Sequence, residues 1–312
     1  MTVPDRPPAY LAPPLDIPPF HGRLPAFFVI GAAKAGTTSL HAYLDRHPDV
    51  FLCQPKEPTF FSNPIVWRHG LRWYSNLFAD ARPEQLCGEA STTYSCWPNS
   101  MDTPALIARL IPHARFIYLL RDPVDRMWSQ YLMWRRLGST GTFEEMVRDC
   151  PWIFDASRYR WQLERYLRFF DRDQLLVLRH EDLLEQPDKV LTRVQEYLGL
   201  PVMDLLSQGP VRANVSSSAV HVRQRTTVRW RRLPFMGAVA DAVPPRVRDR
   251  VFNVVLRSPM GRRHEREGQP TPMRAETRAR LIDFFETEVA ELEEFLGEDL
   301  SRWSSHARGR IR

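Results

Sequence analysis

The stretch FFVIGAAKAGTTSL, Phe27 to Leu40, reads as a short apolar strand that ends in glycine and turns into a helix. Phe27 to Gly31 is an aromatic and β-branched run closed by Gly, the pattern of a buried strand feeding a turn. Thr37, Thr38 and Ser39 offer hydroxyls to open a helix, Leu40, Tyr43 and Leu44 give it an apolar stripe, and His47-Pro48 stops it. The small residues before that helix let a backbone approach an anion, and the helix start presents unpaired N–H groups and the positive end of the helix dipole. Phosphate is the guest this predicts. The spacing from Gly31 to Gly36 matches the glycines of a G-x-x-x-x-G-K-[ST] loop, but Thr37 stands where the lysine belongs. The loop's lysine is Lys34, inside the turn, which weakens a nucleoside triphosphatase or kinase reading.

Working outward, further strands are expected at VFLC from Val50, LCGEA from Leu86, RFIYLL from Arg115 and LLVLRH from Leu175, with helical patterns between most of them. This alternation predicts an α/β fold, a P-loop-like three-layer arrangement with a central, mostly parallel sheet flanked by helices. With 312 residues and 43% hydrophobic content the chain can bury a large core. One domain over 25–312 is expected behind a flexible Pro-rich leader, 1–24. That domain would include a basic segment, 221–268, and an amphipathic helix, 272–296, with Leu281, Phe285, Val289, Leu292 and Leu296 on one stripe. The net charge of +6 fits anionic partners and an ordinary Arg-rich surface equally. Cys53, Cys87, Cys96 and Cys150 are scattered, with neither zinc-ligand spacing nor a disulfide framework. No run has the character of a signal peptide or membrane span, so a cytoplasmic location is expected.

A second anion contact is written at the fourth strand. RFIYLL ends at Arg121, Asp122-Pro123 supply a helix cap and first-turn proline, and Ser129 follows eight residues after Arg121. Ligands of open α/β sheets bind at this carboxyl edge, where a guanidinium grips a phosphate bidentately and a hydroxyl adds a donor. Alone, the pair reads more often as a cap and a solvated face. Following a phosphate loop in the right order, it reads as the second half of a clamp.

K-x-G-T-T-S-L after an apolar strand resembles the 5′-phosphosulfate loop of sulfotransferases that use 3′-phosphoadenosine-5′-phosphosulfate, and LLRDPVDRMWSQY resembles their 3′-phosphate motif. The resemblance implies that Lys34, Ala35, Gly36, Thr37, Thr38 and Ser39 hold the 5′ end of the co-substrate. It gives the 3′-phosphate to Arg121 and Ser129, and requires no metal. Lys34 would supply positive charge to the departing phosphate. Lys56-Glu57-Pro-Thr-Phe-Phe resembles the K-E-P-x-F-F stretch of the glycan-type branch, which implies Glu57 as general base and Lys56 as electrostatic helper. From the residues alone, the two are as well read as a solvated charge pair ahead of Phe60 and Phe61. The small-molecule branch uses a histidine base, for which none of the nine histidines falls in a matching motif.

Gly88-Glu89-Ala-Ser-Thr-Thr-Tyr94 is similar to a family G-E-x-[ST]-x-x-Y segment, making Glu89 a candidate for orienting the acceptor or, equally, a capping carboxylate. Ala90 stands where heparan-modifying enzymes often carry lysine. Arg179, His180 and Glu181 are expected to be structural, and Arg223 is the candidate for a late cofactor contact. The resemblance runs from about Pro25 to about Arg225 and takes in the terminal helix. It tilts the acceptor toward a hydroxyl or amine of a glycan or glycolipid. A rival reading, a nucleic-acid or membrane-surface module, rests on the basic run Arg223 to Arg232 with Trp230 inside it and Phe235 just after. A solvated cover over the site is the favoured reading of that run. No nucleic-acid partner and at most peripheral membrane contact are therefore expected.

Overall fold

The computed structural model describes residues 22–209 and 270–303. Most of the leader, the whole basic segment 221–268 and Arg223 lie outside the described residues. The centre is a five-stranded sheet of β1 (Phe27–Gly31), β2 (Val50–Leu52), β3 (Leu86–Ala90), β4 (Arg115–Leu120) and β5 (Leu175–Arg179). Its order is β2-β3-β1-β4-β5 and every pairing is parallel. All five strands start where the apolar runs predicted. All residues of β1 are buried, as a strand covered on both faces requires.

The helices are α1 (Thr37–Leu44), α2 (Pro64–Trp67), α3 (Gly70–Asn76), α4 (Thr103–Leu110), α5 (Pro123–Arg136), α6 (Phe143–Asp149), α7 (Trp152–Asp155), α8 (Tyr159–Tyr166), α9 (His180–Glu185), α10 (Pro187–Leu198) and α11 (Ala275–Leu296). β2 and β3 build the sheet to one side of β1 and β4 and β5 to the other, so the winding reverses between β1 and β4. Their carboxyl ends flank the crevice where such sheets bind ligands. The phosphate loop leaves β1 there, and Arg121 follows β4.

The chain forms two compact units. The larger takes 1–127, 150–213 and 278–312 and holds the whole sheet. Within it α11 buries Leu281, Phe285, Val289 and Leu292, packs the Phe285 ring, tilted, 5.1 Å from that of Phe154, and pairs Glu288 with Arg158 at 2.9 Å. The smaller takes 128–149 and 214–277. Its described part gathers Trp128, Tyr131 and Phe143, and α6 opens on a capping box in which Thr142 and Glu145 exchange backbone-to-side-chain bonds of 2.7 and 3.2 Å.

β1 and β3 pack closely because Gly88 sits opposite Phe27 in register. A Cβ at Gly88 would lie 2.1 Å from the Phe27 ring, which no real contact tolerates. Gly88→Ala is expected to destabilise the protein by about 1–3 kcal/mol through overpacking. A urea unfolding curve with an unchanged midpoint would contradict this.

Candidate active site

The site is built first by how β1 ends. Gly31 has φ 150, and a Cβ there would lie 2.1 Å from Ser95 Oγ, so glycine is required. Ser95 Oγ donates to the Ile30 carbonyl at 2.9 Å, and Ala32 N–H donates to Leu119 O at 2.7 Å, fastening the loop to β4. Ala35 N–H closes the turn on Ala32 O at 3.1 Å. Lys34, at its crown, has φ 74. Gly36, φ 96, caps α1 with its carbonyl, which accepts from Ser39 and Leu40 at 3.0 and 3.1 Å. No side chain caps this helix, which leaves its N-terminus without a side-chain acceptor, the arrangement helix N-termini offer to anions.

Cationic and imidazole groups stand around the loop. Arg121 Nη1 donates to Lys34 O at 3.3 Å, while Tyr159 donates its hydroxyl hydrogen to Arg121 O at 2.7 Å. Arg126 Nη1 donates to Ala33 O at 3.4 Å. His180, at the start of α9, lies against Gly36, where a Cβ would meet its Nδ1 at 2.9 Å. Burial, with Arg121 nearby, lowers the His180 pKa to about 4, so this imidazole is neutral near pH 7.

Lys56 and Glu57 are carried to the loop by the segment after β2. Lys56 Nζ sits 3.0 Å from Glu57 Oε1 and 3.5 Å from Thr38 Oγ1, joining the carboxylate to the first turn of α1. Thr92 Oγ1 donates to Glu57 Oε2 at 3.3 Å, and Glu57 N–H donates to Ala90 O at 3.0 Å. The Glu57 side chain keeps 37% of its surface exposed, within reach of an incoming molecule. Burial and Lys56 hold His41 below the ordinary imidazole range, with Glu57 pulling the other way.

Glu89 is placed elsewhere. It is 1% exposed and accepts from the Tyr74 hydroxyl beneath the loop that carries Glu57. Burial raises its pKa from 4.5 to about 7, against the downward pull of hydrogen bonds from Tyr74, Tyr94 and Ser91. Ser129 is half-buried on α5 and belongs to the smaller unit, whereas the loop, Lys56, Glu57 and Arg121 all belong to the larger. Arg126, His180 and Thr92 touch the loop or the Glu57 carboxylate without having been singled out for it. Arg126 lies inside the LLRDPVDRMWSQY motif and Thr92 inside the G-E-A-S-T-T segment, so both sit in family-like stretches, while His180 was expected to be structural. Among the described residues no group of His, Cys, Asp or Glu is clustered for a metal ion.

The fold and this cluster define an α/β enzyme domain with a loop built for a phosphate-like anion. The chain belongs to the sulfotransferase domain family, which matches residues 24–232, and the matches make it a domain of the class that uses 3′-phosphoadenosine-5′-phosphosulfate. It is similar to a solved sulfotransferase from Alicyclobacillus acidocaldarius, at 26% identity and a TM-score of 0.61, over 90% of this chain and 99% of that one. It is 30% identical over 200 residues to mouse bifunctional heparan sulfate N-deacetylase/N-sulfotransferase 4, covering 57% of this chain and 22% of that protein. It is 32% identical over 209 residues to human heparan sulfate glucosamine 3-O-sulfotransferase 3A1, covering 64% and 50%. The chain thus spans half or less of the length of these curated relatives.

A carboxyl group whose folded pKa is raised contributes stability at low pH that is lost as pH rises. For Glu89 the window runs from about 4.5 to about 7, and the loss is on the order of 3 kcal/mol. Glu89→Gln is expected to flatten the fall in stability across that window, measured as the urea midpoint from pH 4 to 8. Parallel curves for the two proteins would refute the buried-carboxyl assignment.

Proposed function

We propose that this protein transfers the sulfuryl group of 3′-phosphoadenosine-5′-phosphosulfate to a hydroxyl or amine of a carbohydrate-type acceptor, a glycan or glycolipid, with Glu57 as general base. The observation that carries this reading is the Lys56 ammonium standing between Thr38 of the phosphate loop and the Glu57 carboxylate. One group faces the anion site and the other faces an acceptor, at the separation of a single side-chain contact. In the reaction the acceptor heteroatom bonds to sulfur as the bond from sulfur to the 5′-phosphate oxygen breaks, and the electron pair leaves with adenosine 3′,5′-bisphosphate.

In this proposal Glu57 takes the acceptor proton, and Thr92 and Lys56 hold the carboxylate in place. Lys34 and Lys56 bring positive charge to the transferring oxygens and the departing phosphate. Ala35, Gly36, Thr37, Thr38 and Ser39 hold the 5′ end through backbone amides and hydroxyls. Arg121, Ser129 and Arg223 are proposed for the nucleotide's other contacts, the first two for the 3′-phosphate. The loop fits such a guest on its own chemistry: small residues, a helix N-terminus and no carboxylate between Gly31 and Leu40.

The carbohydrate acceptor is supported by the heparan-modifying relatives, and the K-E-P-T-F-F stretch gives the same direction. One sulfotransferase domain over 25–312 is part of the proposal. Four free cysteines support a reducing, cytoplasmic location, and no helix among the described residues is long and apolar enough to cross a membrane.

A radiolabelled transfer screen across glycan, glycolipid, amine and phenol acceptors tests the reading. Glu57→Gln is expected to lower turnover by roughly 10²–10⁴-fold, while leaving the affinity for adenosine 3′,5′-bisphosphate unchanged. Full transfer by Glu57→Gln on every acceptor would remove Glu57 from the role of base.

A further inference from the structure

Arg126 is the one arginine among the described residues with no exposed surface at all. Its Nε donates to Ser157 Oγ at 2.7 Å, its Nη1 to Ala33 O at 3.4 Å, and its Nη2 to Ile153 O. All three acceptors are neutral. Other arginines withdrawn from solvent carry a carboxylate, as Arg165 does with Asp102 at 2.5 Å and Arg158 with Glu288 at 2.9 Å. The charged and ionisable groups facing Arg126 are Tyr159, Cys96, Tyr118 and Arg121, and none of them is an acid ionised near pH 7. A buried cation without a counter-ion is costly, and burial lowers its pKa accordingly. Arginine stays charged nonetheless.

The guanidinium lies directly behind the phosphate loop. Because a peptide unit is planar and trans, drawing the Ala33 carbonyl toward Arg126 turns the N–H of the same peptide to the opposite side. We infer that the counter-charge of Arg126 is the ligand itself, the 5′-phosphate end of a nucleotide seated at Gly31 to Leu40. Arg126 is then a positioning residue that selects for this phosphate through the Ala33 carbonyl and through its own field in dry protein. The inference rests on the sulfotransferase reading of the loop.

The experiment compares two probes by calorimetric titration, adenosine 3′,5′-bisphosphate and adenosine 3′-monophosphate, which differ only in the 5′-phosphate. Arg126→Gln is expected to cut the preference for the bisphosphate by roughly tenfold or more, with affinity for the monophosphate held within about twofold. Thermal melting of the unliganded protein confirms that the variant is folded. A merely structural role would weaken both nucleotides alike, so an unchanged preference, or equal losses, overturns the inference. If Arg126→Gln does not fold, Arg126→Lys keeps the charge but cannot reach the Ala33 and Ile153 carbonyls together. Its expected loss of preference is about threefold, and no loss overturns the inference. If the wild type binds neither nucleotide, the sulfotransferase reading fails and takes the inference with it. Binding by the wild type with an unaltered ratio in the variants sinks the role of Arg126 alone.

Discussion

A loop that binds an anion through its amides has to satisfy its own carbonyls outside the site, and the rest of this structure follows from how that is done. Ala32 O accepts from Ala35 N–H, Ala33 O from Arg126, Lys34 O from Arg121, and Gly36 O from the amides of Ser39 and Leu40. The Ala35 backbone is met by His180. These partners come from α1, from the carboxyl end of β4, from α5 and from the junction of β5 with α9. They converge because β4 lies beside β1 and β5 beside β4. The strand order therefore supplies donors from neighbouring elements to the Ala33 and Lys34 carbonyls. Both of those donors, Arg126 and Arg121, are cations, so they also raise the electrostatic potential at the loop.

The second loop is held by a different force. Among the described residues the non-glycine residues with positive φ are Lys34 at 74, Glu57 at 60 and Thr59 at 57, all in the two loops of the candidate site. Such conformations cost about 1–3 kcal/mol each and persist only where the surroundings over-determine them. For Glu57 and Thr59 the surroundings are Ala90 O and Ser91 Oγ, which accept from the two backbone N–H groups at 3.0 and 3.1 Å. Downstream, Phe61 N–H is taken by the Tyr94 hydroxyl, and Phe60 stacks 4.3 Å from Tyr74 and 4.8 Å from Trp67. The buried aromatic pair drives the chain inward and the polar contacts fix its rotation, so that Glu57 emerges beside Lys56 and Thr92. Hydrophobic burial thus places a polar group.

This division explains what could be read from the chain in advance. Each strand is an apolar run closed by Gly, Arg or a turn, and burial on both faces makes that signal continuous, so β1 to β5 were legible from Phe27 to Arg179. The phosphate loop was legible because small residues and hydroxyls are confined to it. The link between Lys56 and Thr38 joins residues 18 apart through a loop whose path no periodicity encodes. Arg126 lies inside the motif LLRDPVDRMWSQY, but its burial was not legible there. It lies among Asp125, Met127 and Trp128 on a helix, where an arginine ordinarily faces water, and only the packing of Ile153 and Ser157 against α5 reveals that it does not. Glu89 carried a family-like motif, yet its burial under Tyr74 depends on α3, which the motif does not contain.

Two carboxylates lie at the ends of one hydrogen-bonded strip, and their surroundings separate them. Glu57 stands at the surface with Lys56 on one oxygen and the Thr92 hydroxyl on the other. Glu89 is enclosed by Tyr74, Tyr94 and Ser91, where burial moves its proton affinity toward neutrality. The Glu57 side chain, half-exposed on a strained loop, is reachable from solvent. Glu89, with 1% exposure, anchors the strand end whose next residues, Ala90 and Ser91, hold the backbone of the Glu57 loop. The Lys56 ammonium completes the asymmetry, since it joins the exposed carboxylate to Thr38 at the start of α1, a link the buried acid lacks.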